Sequence, residues 1–387
     1  MKTIKDIQVL KGVRVLVRAD FNVPVKNGVV VDDFRIRKII PTLEYLKKAG
    51  ARIILISHIE NDDPTLAPII PALKKFDIDC SFISKYAGAL VATQSLKDGE
   101  FILLENLRVN PGEKDNDPRF AQELASLAEI YINDAFSVSH RAHASIVAIT
   151  QFLPSYAGFL LESEVTHLSA AFNPERPFFF ILGGAKFETK VPLIEKFIQT
   201  ADIVFVGGAL ANNFFTENGL SLGRSLVSPH NFNLKRFFGN PKLLLPIDVV
   251  VQNAAGEKSI KKPDQIDQDD IIMDAGPETV ALLKKKILTA KQILWNGPLG
   301  AYEKGFKKPT IDLATLIADA TKNNGAKTIV GGADTLATIA EIDGQGGATE
   351  ESIEQEFTFV STGGGAMLDF LADETLPGID ALNSSKA

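Results

Sequence analysis

The sequence contains a single cysteine, Cys80, among its 387 residues. One cysteine excludes an intrachain disulfide and favours a reducing compartment, so we expect a cytoplasmic protein. No apolar run is long enough to cross a bilayer, and residues 1–6 lack the apolar stretch of a signal peptide. The formal net charge of -7 argues against nucleic-acid binding, which requires a basic face. We therefore predict neither a membrane nor a nucleic-acid partner.

Several familiar functional fingerprints are also missing. No G-x-G-x-x-G follows an early strand, no G-x-x-x-x-G-K-[ST] occurs, and the protein-kinase motifs are absent. The missing dinucleotide fingerprint counts against a dehydrogenase built from two α/β domains. His140 and His143 have neither an H-E-x-x-H context nor a cysteine partner, which argues against zinc. Basic or hydrogen-bonding roles fit these histidines better.

The chain alternates short β-branched runs with segments of helical period. Residues 34–49 carry apolar side chains on one face and are followed by Gly50, which predicts a helix with Pro41 inside it. Strands that alternate with helices predict parallel sheets covered by helices on both faces. The predicted strands are residues 13–17, 53–57, 101–104, 130–132, 178–182, 203–206, 243–251, 293–295, 328–330 and 357–360.

The length predicts two domains, because one hydrophobic core rarely serves so long a chain. Pro154 interrupts the pattern, residues 157–171 have the pattern of one helix, and a proline-rich segment closes it before the next strand. We predict a first domain at 1–155, an interdomain helix at 156–172 and a second domain at 173–372. The predicted fold class is α/β, with two doubly wound parallel-sheet domains joined by a hinge helix; the sequence alone also permits a rigid spacer.

Arginine and polar residues are concentrated in the first half. Eight of the eleven arginines precede residue 150, and arginine suits bidentate binding of carboxylate or phosphate. Asp20 and Asn22 follow one predicted strand, His58 follows another, and Arg108 and Arg141 come shortly after two more. Parallel strand ends converge at one edge, so this cluster predicts a site for a small polyanion. For any one arginine, a solvated surface position is the simpler interpretation.

Five predicted strands of the second half end in loops of small residues, at 183–186, 207–209, 296–298, 331–335 and 361–365. Glycine at such strand ends lets the backbone approach a ligand, and five loops on one sheet indicate a nucleotide site. Lys186 and Lys190, four apart on the expected first turn of a helix, share one face and suit phosphate oxygens. Asp334 suits Mg²⁺ or, alternatively, a helix N-cap.

Taken together, these motifs resemble the phosphoglycerate kinase family over essentially the whole chain. Its Arg-x-Asp-x-Asn-Val-Pro spans residues 18–24, its Asp-Asp-x-Arg-Ile 32–36, its Glu-Asn-x-Arg 105–108, and its Asn-Asp-Ala-Phe…His-Arg-Ala-His 133–143. Gly-Gly-Ala-Lys with a second lysine, Trp-Asn-Gly-Pro, Asp-Thr after glycines and Ser-Thr-Gly-Gly-Gly follow in order. Each piece is weak evidence, but the ordered series is strong.

The resemblance implies transfer of a phosphoryl group between 1,3-bisphosphoglycerate and Mg-ADP, giving 3-phosphoglycerate and ATP, by direct in-line attack after domain closure. It implies a monomer whose tail, residues 373–387, packs back on the first domain. Its phosphoglycerate ligands correspond to Asp20, Phe21, Asn22, Arg35, His58, Asn61, Arg108 and Arg141. Its nucleotide ligands correspond to Gly184, Ala185, Lys186, Lys190, Gly208, Asn296, Pro298, Glu303, Gly332, Ala333, Asp334 and Thr335. The resemblance implies catalytic contacts for Arg35, Lys186 and Gly364. It implies that Glu303 contacts the ribose and that Asp334 contacts Mg²⁺.

The chain departs from the family pattern near the second strand end. The family usually reads Ser-His-Leu-Gly-Arg, whereas residues 57–61 read Ser-His-Ile-Glu-Asn and two aspartates follow. A charge-assisted hydrogen bond contributes roughly 1.5–3 kcal/mol. Asn61 in place of arginine thus predicts phosphoglycerate binding weaker by about one to two powers of ten, unless another arginine compensates. Ala333 also stands where a third glycine is usual. The main alternative is a non-catalytic nucleotide-binding paralogue with a decayed substrate site.

Overall fold

A computed structural model describes residues 1–60, 64–230, 232–345 and 353–385. The chain divides into two compact units. The first comprises Met1–Thr166 together with Asp373–Ala387, and the second comprises His167–Ala372. Each unit contains its own six-stranded sheet.

The first unit is built on a parallel sheet. Its strands are β1 (Arg14–Arg18), β4 (Arg52–Ile56), β5 (Cys80–Ile83), β6 (Phe101–Leu104), β7 (Ile130–Asn133) and β8 (Ser155–Ala157), with β2 (Val25–Lys26) and β3 (Val29–Val30) forming a separate hairpin. The strand order is β5-β6-β4-β1-β7-β8, and every pairing in it is parallel. Leu16 and Val17, which face opposite sides of the sheet, are both fully buried, so apolar groups cover both faces.

The helices of this unit follow the apolar spacing of the sequence. Ile36, Ile39, Leu43 and Leu46 are fully buried along one face of the helix that contains Pro41. That helix ends one residue before the predicted limit, and the predicted interdomain helix is shorter at both ends. The helices are α1 (Phe34–Lys48), α2 (Ile69–Lys74), α3 (Ala89–Gln94), α4 (Pro111–Lys114), α5 (Pro118–Ala125) and α6 (Phe159–Ser169).

The second unit has a parallel sheet and a small antiparallel one. Its strands are β9 (Phe178–Leu182), β10 (Ile203–Val206), β11 (Leu243–Leu244), β12 (Val249–Gln252), β13 (Lys258–Lys261), β14 (Ile271–Ala275), β15 (Gln292–Asn296), β16 (Lys327–Gly331) and β17 (Phe359–Val360). The parallel sheet has the order β11-β10-β9-β15-β16-β17, and the antiparallel one has the order β13-β12-β14. The helices are α7 (Val191–Thr200), α8 (Gly208–Glu217), α9 (Pro277–Ile287), α10 (Lys308–Asn324), α11 (Ala333–Gln345) and α12 (Gly365–Asp373).

The single strand predicted at 243–251 is wrong. The segment forms β11 in the parallel sheet and β12 in the antiparallel sheet, with Pro246 between them. Proline has no N–H to give to a strand ladder, and it marks the point where the chain leaves one sheet for the other. The prediction of an α/β fold with two parallel-sheet domains is confirmed by this topology.

The C-terminal helix α13 (Pro377–Ser384) belongs to the first unit. Gly378 N–H donates to the carbonyl of Ser139 at 2.8 Å. A Cβ at Gly378 would press on Ile146 and Ser139, so glycine permits this close contact. Among the described helices, none combines the length and the apolarity that a bilayer crossing requires.

Candidate active site

In the first unit, the residues after β1 form a compact polar cluster. The Asp20 carboxylate pairs with Arg35 Nη1 at 2.9 Å, and it accepts hydrogen bonds from Asn22 N–H at 2.9 Å and from the Ser137 hydroxyl. Arg35 Nη1 also donates to the Asn22 carbonyl at 3.0 Å. Asp20 is almost fully buried, whereas Arg35 retains partial exposure. The cluster therefore holds the Arg35 guanidinium at the strand ends with part of it free for an anion.

His58, at the end of β4, is neutral. Burial lowers its pKa well below the usual value, and the charges of Arg18, Arg108, Arg141 and Arg35 lower it further. Arg18 Nη2 lies 3.0 Å from His58 Nδ1. Because a guanidinium can only donate, Nδ1 must accept, and the imidazole proton resides on Nε2. His58 thus offers a neutral N–H donor within a cluster of positive charge.

A buried network behind this cluster was not foreseen as functional. Arg18 is fully buried, and its Nε donates to Ser145 Oγ at 2.9 Å. Ser145 Oγ in turn donates to Glu113 Oε1 at 2.7 Å, and Tyr131 donates to the Ser145 carbonyl at 2.6 Å. Glu113 therefore supplies the buried negative charge that accompanies the buried Arg18. No sequence motif connects residues so distant in the chain, so only the structure reveals this support.

Two further arginines line this region differently. The Arg108 side chain is 6% exposed, and burial together with repulsion from Arg141 and Arg18 lowers its pKa to about 10. Arg141 is exposed, and its Nε donates to His140 at 3.3 Å. Burial, helped by the nearby arginines, lowers the pKa of His143 to about 4. His143 is therefore neutral at physiological pH, which leaves it a hydrogen-bonding role and not a basic one.

The side chain of Phe21, a predicted phosphoglycerate ligand, does not join this polar cluster. Phe21 is fully buried in the apolar core, and its N–H donates to Ser57 Oγ at 2.9 Å. Its side chain is thus a core residue. Asn61 lies outside the described residues, so the consequence of its replacing arginine remains a prediction.

In the second unit, three of the glycine loops touch backbone to backbone. Gly184 N–H donates to the Pro298 carbonyl at 2.8 Å, and Leu210 N–H donates to the Gly184 carbonyl at 3.2 Å. A Cβ at Gly183 or at Gly297 would collide with the backbone of the opposite loop. Close packing of the loops therefore accounts for these glycines, and the packing brings the ends of β9, β10 and β15 together.

The two lysines differ in environment, and the predicted helical turn that joins them is wrong. Helix α7 begins at Val191, so Lys186 and Lys190 lie in the preceding turn. Pro192 restricts the start of the helix, because proline fits only its first turn. Lys186 is exposed, whereas Lys190 is buried and donates to the Gly183 carbonyl at 2.5 Å. Burial lowers the pKa of Lys190 to about 8, against the opposing effect of Asp334.

A cavity of about 300 Å³ opens beside these loops. Its lining includes predicted nucleotide ligands, namely Gly184, Ala185, Gly208, Pro298, Glu303 and Asp334. The apolar wall, to which Leu226, Ile272 and Met273 contribute, was not predicted. Ile272 and Met273 lie in β14 of the antiparallel sheet, a strand that was not predicted. A small apolar slot with polar groups at one end suits a flat ring attached to a charged group.

The remaining predicted nucleotide residues fall into two groups. Thr335, buried in α11, accepts a hydrogen bond from Gly297 N–H at 2.8 Å, and a Cβ at Gly332 would lie 3.2 Å from Nδ2 of buried Asn296. These two side chains join neighbouring loops. Asp334 and Ala333 are exposed in the first turn of α11, and Tyr302 OH donates to Asp334 at 3.4 Å.

The described residues contain no group of three or more His, Cys, Asp or Glu side chains arranged to hold a metal ion. Asp334 thus has at most one further side chain of these types beside it. This fits Mg²⁺, which commonly takes one or two protein carboxylates and fills its other positions with water and phosphate oxygens. Gly364, with φ +46°, precedes the first turn of α12, and the neighbouring Gly363 N–H donates to Ser361 Oγ at 3.0 Å.

Comparison with known proteins points to one family. The family model described as phosphoglycerate kinase matches residues 4–374. The chain is 40% identical to the phosphoglycerate kinase of Dictyoglomus turgidum, over 98% of each chain, and 42% identical to that of Chlorobaculum tepidum, over 99% of each. The solved phosphoglycerate kinase of Coxiella burnetii is 33% identical, covers 99% of both chains and superposes with a TM-score of 0.84. The chain therefore belongs to the phosphoglycerate kinase family, as its motifs predicted.

Proposed function

We propose that the two units divide the substrates of the family reaction between them. Phosphoglycerate binds the first unit, where Arg35, Arg108, Arg141 and the Nε2–H of His58 face its phosphate and carboxylate groups. The supporting observation is the convergence of four arginines on a neutral histidine. Arg18, Arg35 and Arg108 among them are buried or half-buried, and so much positive charge at one sheet edge is costly unless an anion joins it.

The nucleotide binds the second unit. Its base occupies the cavity of about 300 Å³, Glu303 contacts the ribose, and the phosphates lie along the glycine loops toward Lys186 and Lys190. Asp334 holds the Mg²⁺ that accompanies the nucleotide. When bound, Mg²⁺ neutralises phosphate charge during transfer.

The reaction requires the protein mainly to position the two substrates and to neutralise charge on the transferring phosphoryl group. An oxygen of the ADP β-phosphate is already ionised and attacks the acyl phosphate in line, so no general base or covalent intermediate is required. Arg35 from one unit and Lys186 from the other stabilise the transferring phosphoryl group, together with N–H groups near Gly364. Because each unit holds one substrate, transfer follows closure of the units, with α6 as the hinge.

A direct assay tests this assignment. Purified protein, Mg-ATP and 3-phosphoglycerate are coupled through glyceraldehyde-phosphate dehydrogenase to the oxidation of NADH. We expect turnover in the wild type and its loss, by at least two powers of ten, in Arg35→Ala and in Lys186→Ala. Calorimetry should show that Arg35→Ala still binds Mg-ADP and that Lys186→Ala still binds 3-phosphoglycerate. Absent turnover with retained Mg-ATP binding would favour the non-catalytic paralogue instead.

We further infer a cytoplasmic monomer. The single cysteine is buried, and burial raises its pKa to about 12, which supports a reduced, unreactive thiol. Sedimentation at micromolar concentration tests the monomer, since a dimer would sediment as a species of twice the mass of 42.0 kDa.

A further inference from the structure

Arg108 is a buried cation with very few partners. Its Nε and Nη2 are buried and make no hydrogen bond within the described part of the chain. Its charged neighbour is Glu60, whose carboxylate forms an ion pair with Nη1. A buried guanidinium with two nitrogens that make no hydrogen bond is costly, so an anion at this position is strongly favoured. In this structure the Glu60 carboxylate is that anion.

The backbone holds Glu60 in place independently of its carboxylate. Glu60 N–H donates to Asn22 Oδ1 at 2.9 Å. The preceding residue, Ile59, exchanges two hydrogen bonds with the Asn106 side chain, at 3.3 and 2.9 Å. Asn106 Oδ1 also accepts from Arg108 N–H at 3.1 Å. One buried amide thus ties both chain segments together and keeps the Glu60 carboxylate within reach of Arg108.

The pair is open to a ligand. Glu60 is about half exposed, with 52% of its side chain accessible, and Arg108 is accessible over 6%. Both residues line one cavity, together with Asn106 and Lys114. An oxyanion that enters this cavity toward Arg108 therefore meets the Glu60 carboxylate first.

We propose that Glu60 is a built-in competitor for the anion position on Arg108. Its carboxylate occupies the place that an oxyanion of the substrate takes, and binding exchanges one anion for the other. Glu60 therefore weakens phosphoglycerate binding and leaves nucleotide binding unaffected, which makes it a specificity-determining residue. Only the identity of the oxyanion rests on the proposed function; the competition rests on the contacts of Arg108.

Glu60→Gln tests the proposal by isothermal calorimetry with 3-phosphoglycerate and, separately, with sulfate. The substitution removes the charge and keeps the backbone bond to Asn22. We expect both ligands to bind roughly three- to tenfold more tightly and the Kd for Mg-ADP to stay unchanged. Glu44→Gln is the matched control, because Glu44 is also about half exposed and ion-paired, with Lys48 at 3.1 Å on α1. It should leave all three Kd values unchanged.

A double-mutant cycle then assigns the effect to Arg108. In an Arg108→Met background, Glu60→Gln should no longer tighten binding of either anion, while thermal unfolding confirms that the variants are folded. Unchanged Kd values in Glu60→Gln, or a gain that persists without Arg108, would overturn the proposal. Tighter sulfate binding in a protein that neither binds nor turns over 3-phosphoglycerate would support the competition and refute only the assigned substrate.

Discussion

At the scale of single residues, burial sets the charge of groups in both candidate binding regions. His58 and His143 are held neutral among arginines, while Lys190 and Asp274 in the second unit have pKa values displaced toward neutrality. Lys190 and Asp274 therefore change charge within the pH range where enzymes are assayed. Their titration is therefore measurable as binding or as stability.

Lys190 makes nucleotide binding depend on pH. Burial lowers its pKa to about 8 in the free protein, and a bound phosphate favours the protonated form. Above pH 8 the free lysine must take up a proton in order to bind phosphate, so affinity falls as pH rises. We expect the Kd for Mg-ADP to increase roughly tenfold between pH 7.5 and 9.5. Calorimetry on Lys190→Gln should give weaker binding with a flat profile; parallel profiles in the two proteins would contradict this role.

Asp274 links stability to pH. Burial raises its pKa to about 8, its Oδ2 has no hydrogen-bond partner among the described residues, and a Cβ at Gly300 would collide with its carboxyl group. The pKa of Asp274 is higher in the folded state than in the unfolded state. The stability that its protonated carboxyl group contributes is therefore complete below about pH 4 and is lost as pH rises to about 8.

Asp274→Asn should therefore stabilise the second unit at high pH only. We expect a gain of a few kcal/mol at pH 8.5, at about 1.4 kcal/mol for each unit of pKa shift, and almost none at pH 4. Urea unfolding followed by the fluorescence of Trp295, the single tryptophan and a fully buried one, measures the difference. Glu175→Gln, which removes a carboxylate from an exposed ion pair with Lys327 in the same unit, is the control. A gain of equal size at both pH values would contradict the assignment.

At the scale of elements, the candidate nucleotide site depends on glycine loops that contact each other through backbone atoms. Gly297 has φ +97°, and a Cβ there would collide with the Gly183 backbone. Gly219, with φ +84°, has open space around the same position. Gly219→Ala should cost about 1 kcal/mol for backbone strain alone. Gly297→Ala should cost clearly more and weaken Mg-ADP binding at least tenfold, because the loops must separate. Equal losses of stability and affinity in the two variants would refute the packing argument.

Sequence patterns predicted helices and strands best where burial of apolar side chains alone determined the element. The α1 face and the fully buried strand β9 follow directly from apolar spacing. The division of residues 243–251 between two sheets was missed, because the apolar residues on both sides of Pro246 and Asp248 resemble one strand. Strand β5 was missed as well, since its polar Ser81 and partly exposed Phe82 and Ile83 give a weak apolar signal.

At the scale of the whole molecule, the sequence predicted two α/β domains, and its ordered motifs predicted the family. It did not reveal the link from Arg18 through Ser145 to Glu113, because Arg18 and Ser145 are 127 positions apart and so distant a pair leaves no local pattern. The apolar wall of the nucleotide cavity also escaped prediction, since its members are ordinary core residues in sequence. The candidate ligand residues, which lie in motifs, were therefore easier to predict than the buried residues that position them or line the cavity.

The division of substrates between the units predicts that each ligand stabilises its own unit. Mg-ADP at 100 times its Kd should add about 2.7 kcal/mol to the unit it binds. Trp295 reports unfolding of the second unit, and the buried thiol of Cys80 reports the first through its reaction with a thiol reagent. We expect Mg-ADP to shift the urea midpoint of the Trp295 signal more than that of the Cys80 signal, and 3-phosphoglycerate to do the reverse. Equal shifts of both reporters by each ligand would contradict separate binding, because ligand energy would then be shared by the whole chain.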